Sequence, residues 1–328
     1  MTENKWLRLA SLLMMLILAF ACKKDEEVDT NLYMKGTLAV KIPSHIIVGQ
    51  DLNLNATGIT LPVDSLSYKW YTKGFSVDSV LGNNITIKAP ATTGNFTLSV
   101  YISHPRYSTK SQSFNTVVIN PESSESFGGV VKGDKIFVDT RDGKSYHYST
   151  IGNLDWFTFN LNWKGAGNPY LLTDALGEVY GRLYTWNDAR TACPAGWRLP
   201  DNNDWKSLAA QISGNNAISF DNKWTGLGAQ VSVKATLNSV NIWKYSPNMQ
   251  FVNKFSWNAI PAGNATGNFR TYLNRGEYGT WWSADQQDSG NAYYRYIFFD
   301  SPDFPYNFAD KASFGASVRC VRDTTPVI

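Results

Sequence analysis

Cys193-Pro194-Ala195-Gly196-Trp197-Arg198-Leu199-Pro200 is a compact block between two helix signals. On its N-terminal side, Gly181 to Arg190 reads as a short helix with Leu183, Trp186, Ala189 and Arg190 near one side. On its C-terminal side, Asp201-Asn202-Asn203-Asp204 begins a second helix. Asp201 can accept from the free first-turn amides, and Asp204 stands where the helix dipole favours negative charge. Trp205, Leu208, Ala209 and Ile212 follow at helical spacing, and Gly214 supplies the stop. Upstream, the pattern predicts strands at 135–139 and 145–151 joined by the Asp142-Gly143 turn. Downstream, a region rich in Asn, Gly, Trp and Tyr reads as short strands and long loops. The block therefore belongs to an α+β domain with few helices, expected over 131–328.

The composition agrees with a folded, aromatic-rich chain. Of 328 residues, 43% are hydrophobic, 14% aromatic and only 17% charged, with a net charge of +3. Disorder requires few aromatics and much charge, and nucleic-acid binding requires clustered basic residues, so both are excluded. A polytopic membrane protein is excluded too, because the chain has one apolar run of any length. The length fits two domains. Ten of the 12 tryptophans lie beyond Val130, which assigns the aromatic excess to the second domain.

The first domain, 32–120, reads as an all-β sandwich. Leu38, Val40 and Ile42 fall on one face; Asp51 to Asn55, Ile85 to Ile87 and Phe96 to Ile102 alternate with period two. Trp70 is its candidate core tryptophan on a middle strand, and the segment resembles PKD-like or Ig-like modules, without the cysteine pair of a true immunoglobulin. His45 and His104 read as loop or surface residues. The stretch 121–130, starting Pro121-Glu122-Ser123-Ser124-Glu125-Ser126, reads as a linker whose Ser, Glu and Gly content builds no core.

The N-terminus carries an address. Lys5 and Arg8 precede Leu9 to Ala21, an uncharged run too short to span a membrane core that needs about 20 residues. Cys22 and Lys23-Lys24-Asp25-Glu26-Glu27 follow. The segment resembles a bacterial lipoprotein signal over 1–21, with Cys22 the acylated residue and 22–31 a tether, although Ala19 stands where leucine is usual. Lys24-Asp25-Glu26 is similar to the surface-export tag of Bacteroidetes lipoproteins. Together these imply an outer membrane lipoprotein exposed at the cell surface. With Cys22 taken by lipid, Cys193 and Cys320 remain as an even pair in an oxidising compartment, where a disulfide is the default.

Around the opening block a family resemblance becomes specific. Tyr184-Thr185-Trp186-Asn187-Asp188-Ala189-Arg190, the block itself and Asp204-Trp205-Lys206-Ser207-Leu208 resemble the Fibrobacter succinogenes major paralogous domain. Ile151-Gly152-Asn153-Leu154-Asp155-Trp156, Trp281-Trp282-Ser283-Ala284 and Ser317-Val318-Arg319-Cys320-Val321-Arg322-Asp323 agree in order, so the resemblance covers Lys135 to Asp323. It implies an α+β fold related to C-type-lectin-like and formylglycine-generating-enzyme-like domains. In that layout a Trp-Arg-Leu-Pro strand follows Cys193, and a terminal strand carries the partner cysteine.

Chemistry is harder to place. His147 is the domain's only histidine, and the sequence brings it neither a nucleophile nor an orienting carboxylate, so no catalytic residue is assigned. Asp285, Asp288, Asp300, Asp303 and Asp310 are an oxygen-rich set that could hold calcium. The lectin-like calcium motif is out of place, because Trp186-Asn187-Asp188 sits on the first helix. No cofactor is therefore expected, calcium being the alternative, and no metal ligand is assigned. Tyr278, Tyr293, Tyr294 and Tyr296 add to the rings of the loop-rich half, and flat rings with polar tips suit sugars and protein hot spots. Trp224, Trp243 and Tyr272 lie between the family blocks and are the predicted ligand-binding residues. The expected function is non-catalytic binding of a glycan or an envelope or host surface protein. A polysaccharide-acting enzyme and a purely structural envelope protein are the alternatives.

Overall fold

The computed structural model describes residues 32–214, 219–220, 222–247 and 249–324. The signal segment, Cys22 and the tether lie outside them.

The first domain is all-β, compatible with the PKD/Ig-like expectation. Five strands lie in the order His45–Ile47, Tyr107–Ile119, Gly94–His104, Ser67–Tyr71 and Ser79–Leu81, the first pair parallel and the others antiparallel. Asp51–Asn55 pairs with Asn84–Lys88, so that Leu52, Leu54, Ile85 and Ile87 share one buried face. They form one apolar cluster with Leu98, Val100, Ile102 and Trp70 of the larger sheet. Trp70 is fully buried and its Nε1 donates to the Gly82 carbonyl at 2.9 Å, so its one polar atom is satisfied. Where Lys35–Ala39 crosses Thr57–Leu61, Gly36 and Gly58 both take φ +93°, and a Cβ on Gly36 would come within 2.1 Å of the Gly58 oxygen. Only glycine fits that crossing.

The linker expected over 121–130 is built into the fold. Phe127 is 5% exposed and Ser126 1%. Phe127–Gly128 pairs with Thr236–Leu237, which in turn pairs with Val240–Asn241. The composition missed this because one aromatic ring suffices to anchor a polar segment. Ser126 Oγ donates to Asn238 Oδ1 at 2.7 Å, and Asn238 Nδ2 donates to the Val118 carbonyl of the first domain at 2.8 Å. Ile119 joins the apolar cluster of the second domain, so the two domains share a packed junction.

His45, expected at a surface, starts a strand and lies half-buried at this junction, where it lines a cleft of about 470 Å³ with Arg275 and Lys244. Burial, and after it the charge of Arg275, lowers its pKa to about 4. The folded chain therefore binds the proton more weakly than the unfolded chain. The stabilisation from a neutral His45 is complete above about pH 6.5 and is lost as pH falls toward 4. In urea unfolding across that window, wild type should lose stability that His45→Gln retains; parallel pH curves would refute the assignment.

The second domain is β-rich. A four-stranded antiparallel sheet runs Lys135–Val138, Ser145–Ile151, Leu154–Phe157, Val321–Asp323. An eight-stranded sheet centres on Ala316–Ser317, Tyr278–Gln286, Asn291–Phe298 and Phe304–Asp310. The helix Asn202–Ser213 has the expected ends: Asp201 accepts from the Asn203 and Asp204 amides, and Gly214 closes it in the left-handed conformation. The helix read over Gly181 to Arg190 is corrected. Arg182–Tyr184 is a strand between Asn168–Pro169 and Ala316–Ser317, and the helix, Trp186–Ala192, starts only after Thr185 caps the Asp188 amide. The expected Trp-Arg-Leu-Pro strand reduces to one bridge, Arg198 to Val321, and the terminal strand begins just after Cys320.

Five rings form the centre: Trp156, Trp205, Trp257, Trp281 and Phe304 are at most 1% exposed. Their mutual centroid distances include 5.1 Å for Trp156–Trp205 and for Trp257–Trp281. Beside them Arg319 is fully buried, its guanidinium 4.1 Å above the Trp257 ring. It donates to the carbonyls of Phe157 (3.3 Å), Trp257 and Asn258 (3.3 Å), and to Asn160 Oδ1 at 2.9 Å. Asn160 Oδ1 also accepts from Trp281 Nε1 at 2.8 Å. Burial pulls the Arg319 pKa down to about 9, which leaves it charged at neutral pH.

Candidate functional site: an aromatic face of the large sheet

Asn291–Phe298 pairs antiparallel with Tyr278–Gln286, setting Tyr278 opposite Phe298, Thr280 opposite Tyr296 and Trp282 opposite Tyr294. Cross-strand partners share a face, so period two places Tyr294, Tyr296 and Phe298 beside Tyr278. The rings run as a continuous row. Phe298 lies 4.9 Å from Tyr278, Tyr278 and Tyr294 each 5.9 Å from Tyr296, and Tyr294 5.1 Å from Phe314. All five are half-buried. Trp282, fully buried, stands beside Tyr294 on the same face, edge-on with centroids 6.1 Å apart.

At the other end the row opens into a shallow cleft of about 280 Å³, where Tyr278, Tyr296 and Phe298 meet Asn222, Ser301 and the Lys223–Asp303 ion pair at 2.7 Å. Burial raises the Asp303 pKa, but the Lys223 and Gly226 hydrogen bonds outweigh it, so the carboxyl stays below its ordinary value and ionised. Tyr294 is pushed up to about 12 by burial and by Tyr296 and Tyr278, and Tyr296 is raised by burial and Tyr278. Their hydroxyls thus remain neutral and can both donate and accept. Flat rings, neutral hydroxyls and an ion pair at one end suit an apolar sugar face with hydroxyls at its edge.

The three predicted ligand-binding rings lie elsewhere in the domain. Trp224 is 5% exposed, roofed by the Arg295 guanidinium at 3.7 Å and backed by Phe304 at 6.1 Å. Trp243 is 4% exposed, its Nε1 donating to the Val233 carbonyl at 3.1 Å, and it lines two clefts. Lying between motif blocks does not make a ring face outward, because in loop-rich structure large rings are the main apolar mass available for burial. Tyr272 is half-buried between Tyr170 at 5.4 Å and Phe269 at 6.3 Å, apart from the row just described. The signal for the outward rings was the alternation Tyr294-Arg295-Tyr296-Ile297-Phe298.

Cys193 and Cys320 form the disulfide, closing a separation of 127 residues with Cα atoms 5.8 Å apart. The profile of the Fibrobacter succinogenes major domain matches residues 150–322. The chain belongs to that family. A comparison with curated proteins found no match.

The matched stretch of the major domain begins at Thr150, later than the Lys135 expected from the motifs, and contains the disulfide, the tryptophan core and the aromatic row. Trp186-Asn187-Asp188, the lectin-like triplet, works as a helix start: Thr185 Oγ1 donates to Asp188 Oδ2 at 2.8 Å. The late carboxylates are likewise engaged within the fold. Asp285 accepts from the Asn202 amide at 2.5 Å, Asp288 from Gly290 at 2.7 Å and Asp310 from Ser313 at 2.8 Å. Among the described residues, no group of three or more His, Cys, Asp or Glu could hold a metal. His147 bonds through Nδ1 to the Gly133 carbonyl at 2.7 Å, which requires Nδ1 to carry the proton. No helix among the described residues is long and apolar enough to cross a membrane.

Proposed function

We propose that this chain is a surface-associated, non-catalytic binding protein whose major domain acts as a lectin-like module and holds a glycan against the row Phe298–Tyr278–Tyr296–Tyr294. The observation that carries this reading is the row itself: neighbouring half-exposed rings on a rigid sheet beside a polar cleft. The sandwich serves as the spacer, and acylation of Cys22 anchors it to the outer membrane. The short apolar run ending at Cys22 and the charged tether after it support that anchor.

A glycan array probed with the chain should show retention that survives a chelator. Tyr278→Ala and Tyr296→Ala should each weaken it by about three- to tenfold, the worth of one aromatic contact. Absence of any retained glycan, or wild-type binding by both variants, would refute the proposal. Palmitate labelling of the expressed chain should disappear in Cys22→Ala, and persistent labelling would remove the anchor.

A further inference from the structure

A second cleft, of about 390 Å³, lies where the junction segment meets the major domain. Phe127 and Phe159 give it apolar walls, and Lys144, Glu178 and Asn162 give it a polar floor. Glu178 accepts from both floor neighbours: Oε2 from Lys144 Nζ, and Oε1 from Asn162 Nδ2 at 3.0 Å. At the rim Lys132 pairs with Glu122 at 3.0 Å. The charges that line the cleft are thus matched within it. An ionic ligand would find no unpaired charge there and would have to compete with these part-exposed pairs.

The floor still offers hydrogen bonds. Asn162 is 3% exposed, and its Oδ1 has no protein partner. That oxygen lies against Gly177, where a Cβ would come within 3.0 Å of it, so glycine makes room for the Asn162 side chain under Glu178. A ligand hydroxyl can donate to Glu178, which Asn162 holds in place, while accepting from Lys144, which neither a pure donor nor a pure acceptor can do. The volume is near the lower end of the roughly 300–1,000 Å³ of small-molecule sites, and it suits one ring, not a chain.

We propose that this cleft is a separate binding site for a single neutral hexose residue, held through its hydroxyls by Lys144 and Glu178, with Asn162 positioning Glu178. It is independent of the aromatic row, and each site is tested by its own variants. Isothermal titration of the chain with methyl glucoside, methyl galactoside and N-acetylglucosamine should detect binding of at least one of them. Glu178→Gln and Lys144→Met should each weaken that binding by about tenfold or more, while Tyr296→Ala leaves it unchanged. Thermal melts of both cleft variants should stay close to wild type, which separates loss of the site from loss of the fold. Binding of none of the three sugars, stronger binding of glucuronate, or loss of binding in Tyr296→Ala instead of the cleft variants would each overturn the proposal.

Discussion

Replacing Cys193 and Cys320 together by alanine should destabilise the major domain by about 3–5 kcal/mol and lower its melting midpoint by about 10–15 °C. The bond joins the block after the helix Trp186–Ala192 to the start of the last strand, 127 residues on, so it closes most of the matched region into one loop. A loop of that length gives about 5 kcal/mol on the chain-entropy account, and residual structure in the reduced chain trims it. The strands that carry the proposed binding rings, Tyr278–Gln286 and Asn291–Phe298, hold neither cysteine. The folded double variant should therefore keep wild-type glycan retention at low temperature while melting earlier in calorimetry. A shift below about 3 °C would mean that the tryptophan cluster alone holds the termini of the domain together.

What the sequence showed, and what it hid, follows from the range of the forces involved. The helix Asn202–Ser213 was legible to its ends because its cap, its apolar spacing and its Gly214 stop are all local. The disulfide partners were legible because only two cysteines remain after Cys22. Arg182–Tyr184 was misread as helix because its strand state is imposed by pairing with Ala316–Ser317, more than a hundred residues away. Phe127 was hidden in a polar segment because its partners come from Thr236–Leu237 and from the first domain's end. The outward row was present as alternation, but alternation does not say which face is covered. Trp282 and Tyr294 are direct cross-strand partners, yet one is sealed and the other half-open. Trp224 shows the converse: only the structure places Arg295 above it.

Arg319→Met should cost about 3 kcal/mol, and Arg319→Lys should be no better. The side chain presents two opposed effects. Burying a charge among neutral acceptors is unfavourable, and methionine relieves that. Against it, methionine strips the donor from the carbonyls of Phe157, Trp257 and Asn258, and each buried acceptor left alone costs about 1–3 kcal/mol. Three such losses exceed the relief, so the net effect is destabilising. Lysine separates charge from geometry. It keeps the positive charge, but its compact, more strongly hydrated ammonium cannot reproduce the planar fork that reaches Asn160 and the three carbonyls while lying 4.1 Å over Trp257. If charge were what the site requires, Arg319→Lys would restore stability in urea unfolding; if the fork is required, it falls with Arg319→Met. Because Arg319 neighbours Cys320 and bonds Asn160, which also fixes Trp281, its loss should couple to loss of the disulfide instead of adding to it. The triple variant should therefore show a coupling free energy of about 0.5 kcal/mol or more, and strict additivity would show that the buried arginine and the disulfide stabilise the core independently.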